Sequence, residues 1–153
     1  MSDDYVYVIP EEPGLVPEDG RQQSAADYFR SIAPKAGKIT VSVWDHLKFI
    51  DCGGNFGEIY CPSCRALVDQ STWGDWMEQD FQGKEKGFVL SKRALPCCGA
   101  QASLHDLSYE WPQGFARFNV CAENAGIGKL SEEQRCEFEH SLGCSVRIIY
   151  EHI

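Results

Sequence analysis

Long apolar runs are missing from this sequence of 153 residues, and their absence argues against a membrane protein. No segment approaches the roughly 18 to 20 apolar residues that a membrane-spanning helix needs. The first residues, Met1-Ser2-Asp3-Asp4, are acidic, whereas a secretion signal begins with basic residues. We therefore expect a cytoplasmic protein, and a hydrophobic content of 43% is sufficient for a single domain over residues 1–153.

Basic residues are also scarce, since 14 Lys and Arg stand against 23 Asp and Glu and give a formal net charge of -9. Nucleic-acid binding draws its affinity from basic side chains on phosphates, so this charge argues against a general nucleic-acid binder. The one basic cluster consists of Lys84, Lys86, Lys92 and Arg93. This cluster keeps a nucleic-acid or transcription-associated protein as an alternative, but the acidic surface favours a protein partner of basic charge.

The motifs of several enzyme classes are absent as well. The sequence has no phosphate-binding Gly-rich loop with Lys, no Gly-x-Ser-x-Gly elbow and no His-Glu-x-x-His helix. Cys52 precedes two glycines, and His46 or His105 is a conceivable base for it, but no third group completes such a site. We therefore expect a non-enzymatic protein, with a zinc- or cysteine-dependent enzyme as an alternative.

Cysteine, in contrast, is abundant, and four of the eight cysteines form two tight pairs. The first pair lies in Cys61-Pro62-Ser63-Cys64 and the second in Pro96-Cys97-Cys98-Gly99. Cysteines of a protein that is not exported are expected to stay reduced, which favours metal binding over disulfides. Four thiolates fill the tetrahedral coordination of Zn²⁺ and leave no position for a substrate, so we predict a structural zinc site.

The second pair is the less usual half of this site. Neighbouring side chains diverge in an extended strand, so Cys97 and Cys98 need a turn at Pro96 and Gly99 to reach one ion. The 32 residues between Cys64 and Cys97 also exceed the usual spacing of about 15 to 20 in zinc ribbons. Three other residues could replace one of the adjacent cysteines: Cys52, Cys121 and His105. A redox interpretation of the first pair lacks the expected strand and helix, and it leaves the second pair unexplained.

An internal similarity between the two ends of the chain predicts the fold. Each end has a short apolar strand, a Gly-containing turn, a helix and a β-branched strand, over residues 1–46 and 113–153. The first helix has an apolar face from Ala25 to Ile32, and the second begins with a capping box at Ser131 and ends at Gly143. The closing strands are predicted at residues 39–46 and 146–152.

Two such β-α-β units resemble the ferredoxin-like sandwich, an α+β fold with a four-stranded antiparallel sheet and two helices on one face. The resemblance places His46 and His152 on opposite edges of the sheet, too far apart to share a metal. Residues 47–112 then form an insertion, which resembles the zinc ribbons with Cys61, Cys64, Cys97 and Cys98 at the ligand positions.

Inside the insertion we predict a hairpin of residues 48–50 and 57–60, a strand at 88–90, and a last hairpin of residues 104–109 and 115–120. A short helix with Trp73, Trp76, Met77 and Phe81 on one face is expected to be capped by Ser71 or Thr72. Any of Trp73, Trp76 and Trp111 that is exposed would suit a protein-binding surface.

The two cysteine motifs are similar to those of small uncharacterised bacterial proteins that contain a zinc ribbon. In size and acidity the chain also resembles toxin-neutralising immunity proteins. These resemblances imply a zinc-stabilised, acidic protein-binding module, with an inhibitor-type role as one form of it.

Overall fold

The computed structural model describes residues 2–153 and contains, within them, eight strands and three helices. The elements follow one another along the chain as β1 (Asp4–Pro10), α1 (Asp19–Ile32), β2 (Lys38–Ile50), β3 (Ile59–Tyr60), α2 (Gln70–Asp80), β4 (Arg93–Ala94), β5 (Gln101–Ala102), β6 (Ser108–Tyr109), β7 (Gly114–Glu123), α3 (Glu132–Leu142) and β8 (Val146–His152). The predicted mixture of helices and strands is therefore confirmed. None of the helices in the described part of the chain has the length and apolarity that crossing a bilayer requires.

The four long strands form one antiparallel sheet in the order β2-β7-β1-β8. This confirms the predicted four-stranded antiparallel sheet, with β2 and β8 at its edges. Because side chains alternate across a strand, Val8, Val120 and Ile148 point to one face of the sheet. We call the opposite face, which carries Tyr7, Asn119 and the other alternate residues, the open face.

Helices α1 and α3 cover the first face, as the sequence predicts. Phe29 and Phe138, one from each helix, are fully buried and meet edge to face with ring centroids 5.0 Å apart. The predicted capping box of α3 is present, since the Ser131 side chain accepts from the Gln134 N–H and the Gln134 side chain accepts from the Ser131 N–H. Gly143 ends this helix in the left-handed conformation at φ 74°.

Strand β2 continues beyond the predicted end at residue 46, because a β-bulge between Val43 and Lys48 restores its pairing with β7. Phe49 and Ile50 therefore lie opposite Phe115 and Gly114. The predicted hairpin of residues 48–50 and 57–60 is wrong for this reason, because the first of its strands is already paired with the main sheet. The predicted hairpin of residues 104–109 and 115–120 is also wrong, since β6 pairs with β3 instead.

The segment after α2 is held by a side chain rather than by a sheet. The buried carboxylate of Asp80 accepts hydrogen bonds from the backbone N–H groups of Val89, Leu90 and Ser91 at 2.8 to 3.1 Å. Because these donors turn inward to one carboxylate, the predicted strand at residues 88–90 does not form. The cap of α2 also differs from the prediction, since Asp69 accepts from the Thr72 N–H at 3.1 Å.

Residues 47–112 have an apolar cluster of their own. Its buried members include Ile59, Leu95, Leu104 and Phe115, and the last of these belongs to β7 of the main sheet. A third cluster, with Ile9 and Ile149 from the open face, packs against Ile50 and Cys52. The insertion therefore covers part of the open face, and the other part stays uncovered.

Candidate metal centre

The first cysteine turn follows β3 directly and is closed by backbone hydrogen bonds. The N–H of Cys61 donates to the carbonyl of Ala66 at 2.8 Å, and the N–H of Arg65 donates to the carbonyl of Cys61 at 3.1 Å. Arg65 adopts a left-handed conformation with φ 67°. The turn aims the N–H groups of Ser63 and Cys64 at the Cys61 sulfur, both at 3.4 Å. These two donors, with Cys64 the stronger, lower the pKa of Cys61 to about 6.

The second cysteine turn has the same backbone hydrogen bonds. The N–H of Leu95 donates to the carbonyl of Ala100 at 2.9 Å, and the N–H of Gly99 donates to the carbonyl of Leu95 at 2.8 Å. Gly99 has φ 77° and corresponds to Arg65. The hexapeptide Leu-Pro-Cys-Cys-Gly-Ala at residues 95–100 thus repeats the shape of Cys-Pro-Ser-Cys-Arg-Ala at residues 61–66.

This equivalence explains how two adjacent cysteines reach one site. Cys98 takes the fourth position of its turn, as Cys64 does in the first. The first position, held by Cys61 in one turn, is held by the buried Leu95 in the other. Cys97 supplies the remaining sulfur from the third position, where the first turn has Ser63. The common pattern Pro-x-Cys-x-Ala in the sequence was the available signal for this repeat.

The four sulfurs of the two turns lie close to one another. The Sγ atoms of Cys61, Cys64, Cys97 and Cys98 all lie within 4.8 Å of one another. Cys98 Sγ lies 3.7 Å from Cys61 Sγ and 3.9 Å from Cys97 Sγ. Zn–S bonds of about 2.3 Å in a tetrahedron place the sulfurs about 3.8 Å apart. The four cysteines are therefore close enough to hold a metal ion.

Electrostatics within the cluster favour a cation at its centre. The adjacent Cys64 thiol raises the pKa of Cys97 to about 12, while the pKa of Cys61 is lowered. Thiolates less than 4 Å apart repel one another strongly, so the metal-free cluster retains protons. A soft divalent cation such as Zn²⁺ removes this conflict, because it stabilises the ionised form of every sulfur that binds it.

The cluster lies at the outer end of the insertion's core. Cys61 is fully buried and packs with Ile59 and Leu95, whereas Cys64, Cys97 and Cys98 are exposed. Five of the cavities on the described part of the chain, of about 200 to 400 Å³ each, are lined by other residues.

The three alternative ligands lie elsewhere. His105 is buried and uses both ring nitrogens, since Nδ1 accepts from the Phe115 N–H at 3.0 Å and Nε2 donates to the Glu11 carbonyl at 2.8 Å. Burial, with the positive charge of Arg147, lowers the pKa of His105, so the ring is neutral. Its role is to connect β7 with the segment after β1.

Two buried cysteines also lie outside the cluster. Cys52 donates to the side-chain carbonyl of Gln113 at 3.4 Å, and burial raises the pKa of its thiol to about 11. Cys121 lies on β7, and burial raises the pKa of its thiol to about 12. Raised pKa values are the opposite of what a nucleophilic cysteine needs.

The three tryptophans of interest are half-buried rather than exposed. Trp73 donates to the Tyr109 hydroxyl at 3.1 Å and packs against Phe56 with ring centroids 5.1 Å apart. Trp76 also packs against the insertion core, and Trp111 lies beneath the Lys129 ammonium at 4.7 Å. The large apolar residues that are exposed on the insertion are instead Leu67, Phe81 and Val89.

The basic residues of the insertion are partly engaged. Lys92 lies 3.8 Å from the Asp106 carboxylate, and Arg93 donates to the Gln79 side chain at 2.8 Å. Lys84 and Lys86 are exposed in the turn after α2. These contacts with acidic and amide groups leave fewer basic side chains free to bind a phosphate backbone.

No family model matches this chain, and neither the curated proteins nor the solved structures contain a match to it.

Proposed function

We propose that this chain is a non-enzymatic protein-binding module in which one structural zinc ion, held by Cys61, Cys64, Cys97 and Cys98, stabilises residues 47–112. The single observation that supports the zinc site is the spacing of the four sulfurs, all within 4.8 Å. Zinc is the metal of choice because it accepts four thiolates in a tetrahedron and has no redox chemistry of its own.

The architecture that we propose is a ferredoxin-like sandwich with a zinc-ribbon-like insertion, together forming a single domain. The strand order β2-β7-β1-β8 with α1 and α3 on one face supports the first part. The two hydrogen-bonded cysteine turns, each following a short strand, support the second. Strand β7 contributes buried residues to the apolar cluster of the sandwich and to that of the insertion, which supports a single domain.

The partner that we propose is a protein of basic charge, bound in the manner of an inhibitor. A net charge of -9 attracts such a partner from a distance and raises its association rate. The exposed apolar side chains of Leu67, Phe81 and Val89 on the zinc-braced insertion are suited to the contact itself. In this proposal the zinc ion acts indirectly, by keeping the insertion folded.

Metal analysis of the purified chain tests the first part of the proposal. We expect one zinc per chain, and we expect Cys64→Ser to lose most of it. Cys136→Ser is the matched control, because Cys136 is an exposed cysteine on α3 outside the cluster. A metal-free protein, or equal zinc in Cys64→Ser and the control, would overturn the zinc assignment.

Affinity capture from the native cell, followed by a binding titration over a range of salt concentrations, tests the second part. We expect a basic protein whose binding weakens when Leu67 or Val89 is replaced by Ser. Capture of nucleic acid, with an affinity that falls linearly with salt on logarithmic axes, would instead support the nucleic-acid alternative.

A further inference from the structure

The uncovered part of the open face carries a cavity of about 360 Å³ that lies apart from the metal centre. Its floor is formed by alternate residues of all four long strands, and its wall by the end of β2 and the start of the insertion. Its lining includes Tyr7, Thr40, Ser42, Asp51, Asn119 and Glu151. The volume falls within the range of about 300 to 1,000 Å³ that is typical of small-molecule sites.

Unpartnered polar groups face this cavity. Asn119 is only 3% exposed and lines this cavity, and no side-chain hydrogen bond holds its amide within residues 2–153. Ser42 lies opposite Asn119 on β2, and Thr40 lies opposite Cys121. Both hydroxyls are half-buried and line the cavity. The Asn119 amide is open to the cavity rather than sealed in the core, so it is available to hydrogen-bond to a ligand there.

Two carboxyl groups lie at the other side of the same cavity. The Tyr7 hydroxyl donates to Glu151 at 2.8 Å, and Asp51 lines the same cavity as Glu151. Burial and this second carboxyl raise the pKa of Glu151 to about 7. A positively charged group placed beside Glu151 would favour its ionised form.

Aromatic rings complete the lining. Tyr5 and Tyr7 stack with centroids 6.1 Å apart, and Trp44 forms part of the wall. The Lys48 ammonium lies 4.7 Å above the Trp44 ring and is exposed at the rim. Aromatic faces next to carboxylates are a favourable surrounding for an organic cation.

We propose that this cavity binds a small organic molecule through an ammonium or guanidinium group, which Asp51 and Glu151 hold while the Asn119 amide hydrogen-bonds to the rest of the ligand. This site is independent of the zinc ion and gives the open face a role that the protein-binding module does not require. The insertion contributes by supplying Asp51 and the wall, so the site exists only where insertion and sheet meet.

Agmatine, a small molecule with one guanidinium and one amine, is the probe for testing this site on the intact zinc-loaded chain. Butylurea, a neutral analogue of similar shape, is its control. We expect agmatine to bind in calorimetry and to shift the NMR signals of the Asn119 side-chain amide, and we expect butylurea to do neither. Absence of agmatine binding, or equal binding of butylurea, would overturn the proposal.

Variants then locate the binding. Glu151→Gln removes one charge and Asn119→Ser shortens the amide, and each is expected to weaken agmatine binding about tenfold or more. Glu137→Gln, an exposed position on α3, is the matched control for net charge and should bind as the parent does. Ser42→Ala, a smaller change at the same cavity, should weaken binding less than Asn119→Ser does and serves as a second variant if the latter fails to fold. Equal affinity in Glu151→Gln and Glu137→Gln would refute the assignment.

A triarginine peptide separates a free small molecule from the side chain of a protein partner. We expect the peptide to bind more weakly than agmatine, because a cavity of about 360 Å³ is too small for a tripeptide with three long side chains. If the peptide binds and agmatine does not, the small-molecule assignment is wrong, and the cation belongs to a side chain of a protein partner.

Discussion

The equivalence of the two cysteine turns predicts that one metal ligand can be moved. In the second turn Leu95 holds the position that Cys61 holds in the first, and Cys97 supplies its sulfur from two residues further on. Cys97→Ser alone should therefore lose the metal. The double variant Leu95→Cys with Cys97→Ser should recover it, because the new thiol enters at the position that already serves in the first turn.

The free energies of zinc binding and of core packing indicate that the double variant recovers the metal but is less stable than the parent. Leu95 is 2% exposed and packs within the insertion core, so shortening it to Cys costs about 2 kcal/mol. The binding free energy of a structural zinc ion is of the order of 10 kcal/mol at neutral pH. The metal term exceeds the packing loss, so the double variant should bind zinc but melt about 4 to 8 °C below the parent.

Cobalt substitution measures the outcome directly, since absorption in the thiolate charge-transfer and d–d regions reports the number of sulfurs and tetrahedral geometry. The parent and the double variant should both show a four-sulfur tetrahedral spectrum, and Cys97→Ser should not. Leu95→Ala is the packing control, which should keep the metal while losing stability. If the double variant binds cobalt no better than Cys97→Ser, the proposed equivalence of the turns is incorrect.

Three further substitutions test features outside the cluster. His105→Gln should lower the free energy of unfolding at pH about 7.5, because two buried hydrogen bonds are disturbed. Since the pKa of His105 is lowered from its ordinary 6.5, the unfolded chain takes up this proton first, so the parent loses stability as pH falls below about 6.5. Urea unfolding at pH about 7.5 and about 5 measures the free energy of unfolding at each pH. Its decrease from the higher to the lower pH should be smaller in the variant than in the parent, and an equal decrease would contradict a neutral His105. Ser131→Ala should lower the stability measured in thermal unfolding by about 1 kcal/mol, because the capping box is lost. Ser141→Ala, near the other end of α3, is the control, and an equal loss of stability in it would contradict the role of the cap. Asp80→Ala should cost about 2 to 4 kcal/mol and speed amide exchange at Val89 and Leu90, and unchanged exchange there would argue against the carboxylate clamp.

Local patterns in the sequence were sufficient for the two outer halves of the fold. The capping box at Ser131, the glycine at position 143 and the apolar spacing from Ala25 to Ile32 are short-range signals, and each describes a helix that forms where it was expected. Alternating β-branched residues likewise marked the strands around Val41 and Ile148. These signals are reliable because the interactions behind them join residues only a few positions apart.

Pairing inside the insertion could not be derived in the same way. Residues 48–50 have the composition of a strand wherever they pair, and only the bulge after Val43 decides that their partner is β7. The hydrogen bonds of Asp80 and His105 could not be predicted from the sequence, since their partners lie at irregular distances along the chain.

By itself the sequence determined that four cysteines occur in two tight pairs, each beside a proline, because a turn that presents sulfurs is a local structure of six residues. Only the tertiary structure decided that the two turns face each other with their sulfurs within 4.8 Å, and that Cys52, Cys121 and His105 are engaged elsewhere. It likewise brought Asp51, Asn119 and Glu151 to one cavity from three separate strands or strand ends. The physical reason is that side-chain meetings across a sheet depend on strand order and register, which are set by the packing of the whole chain.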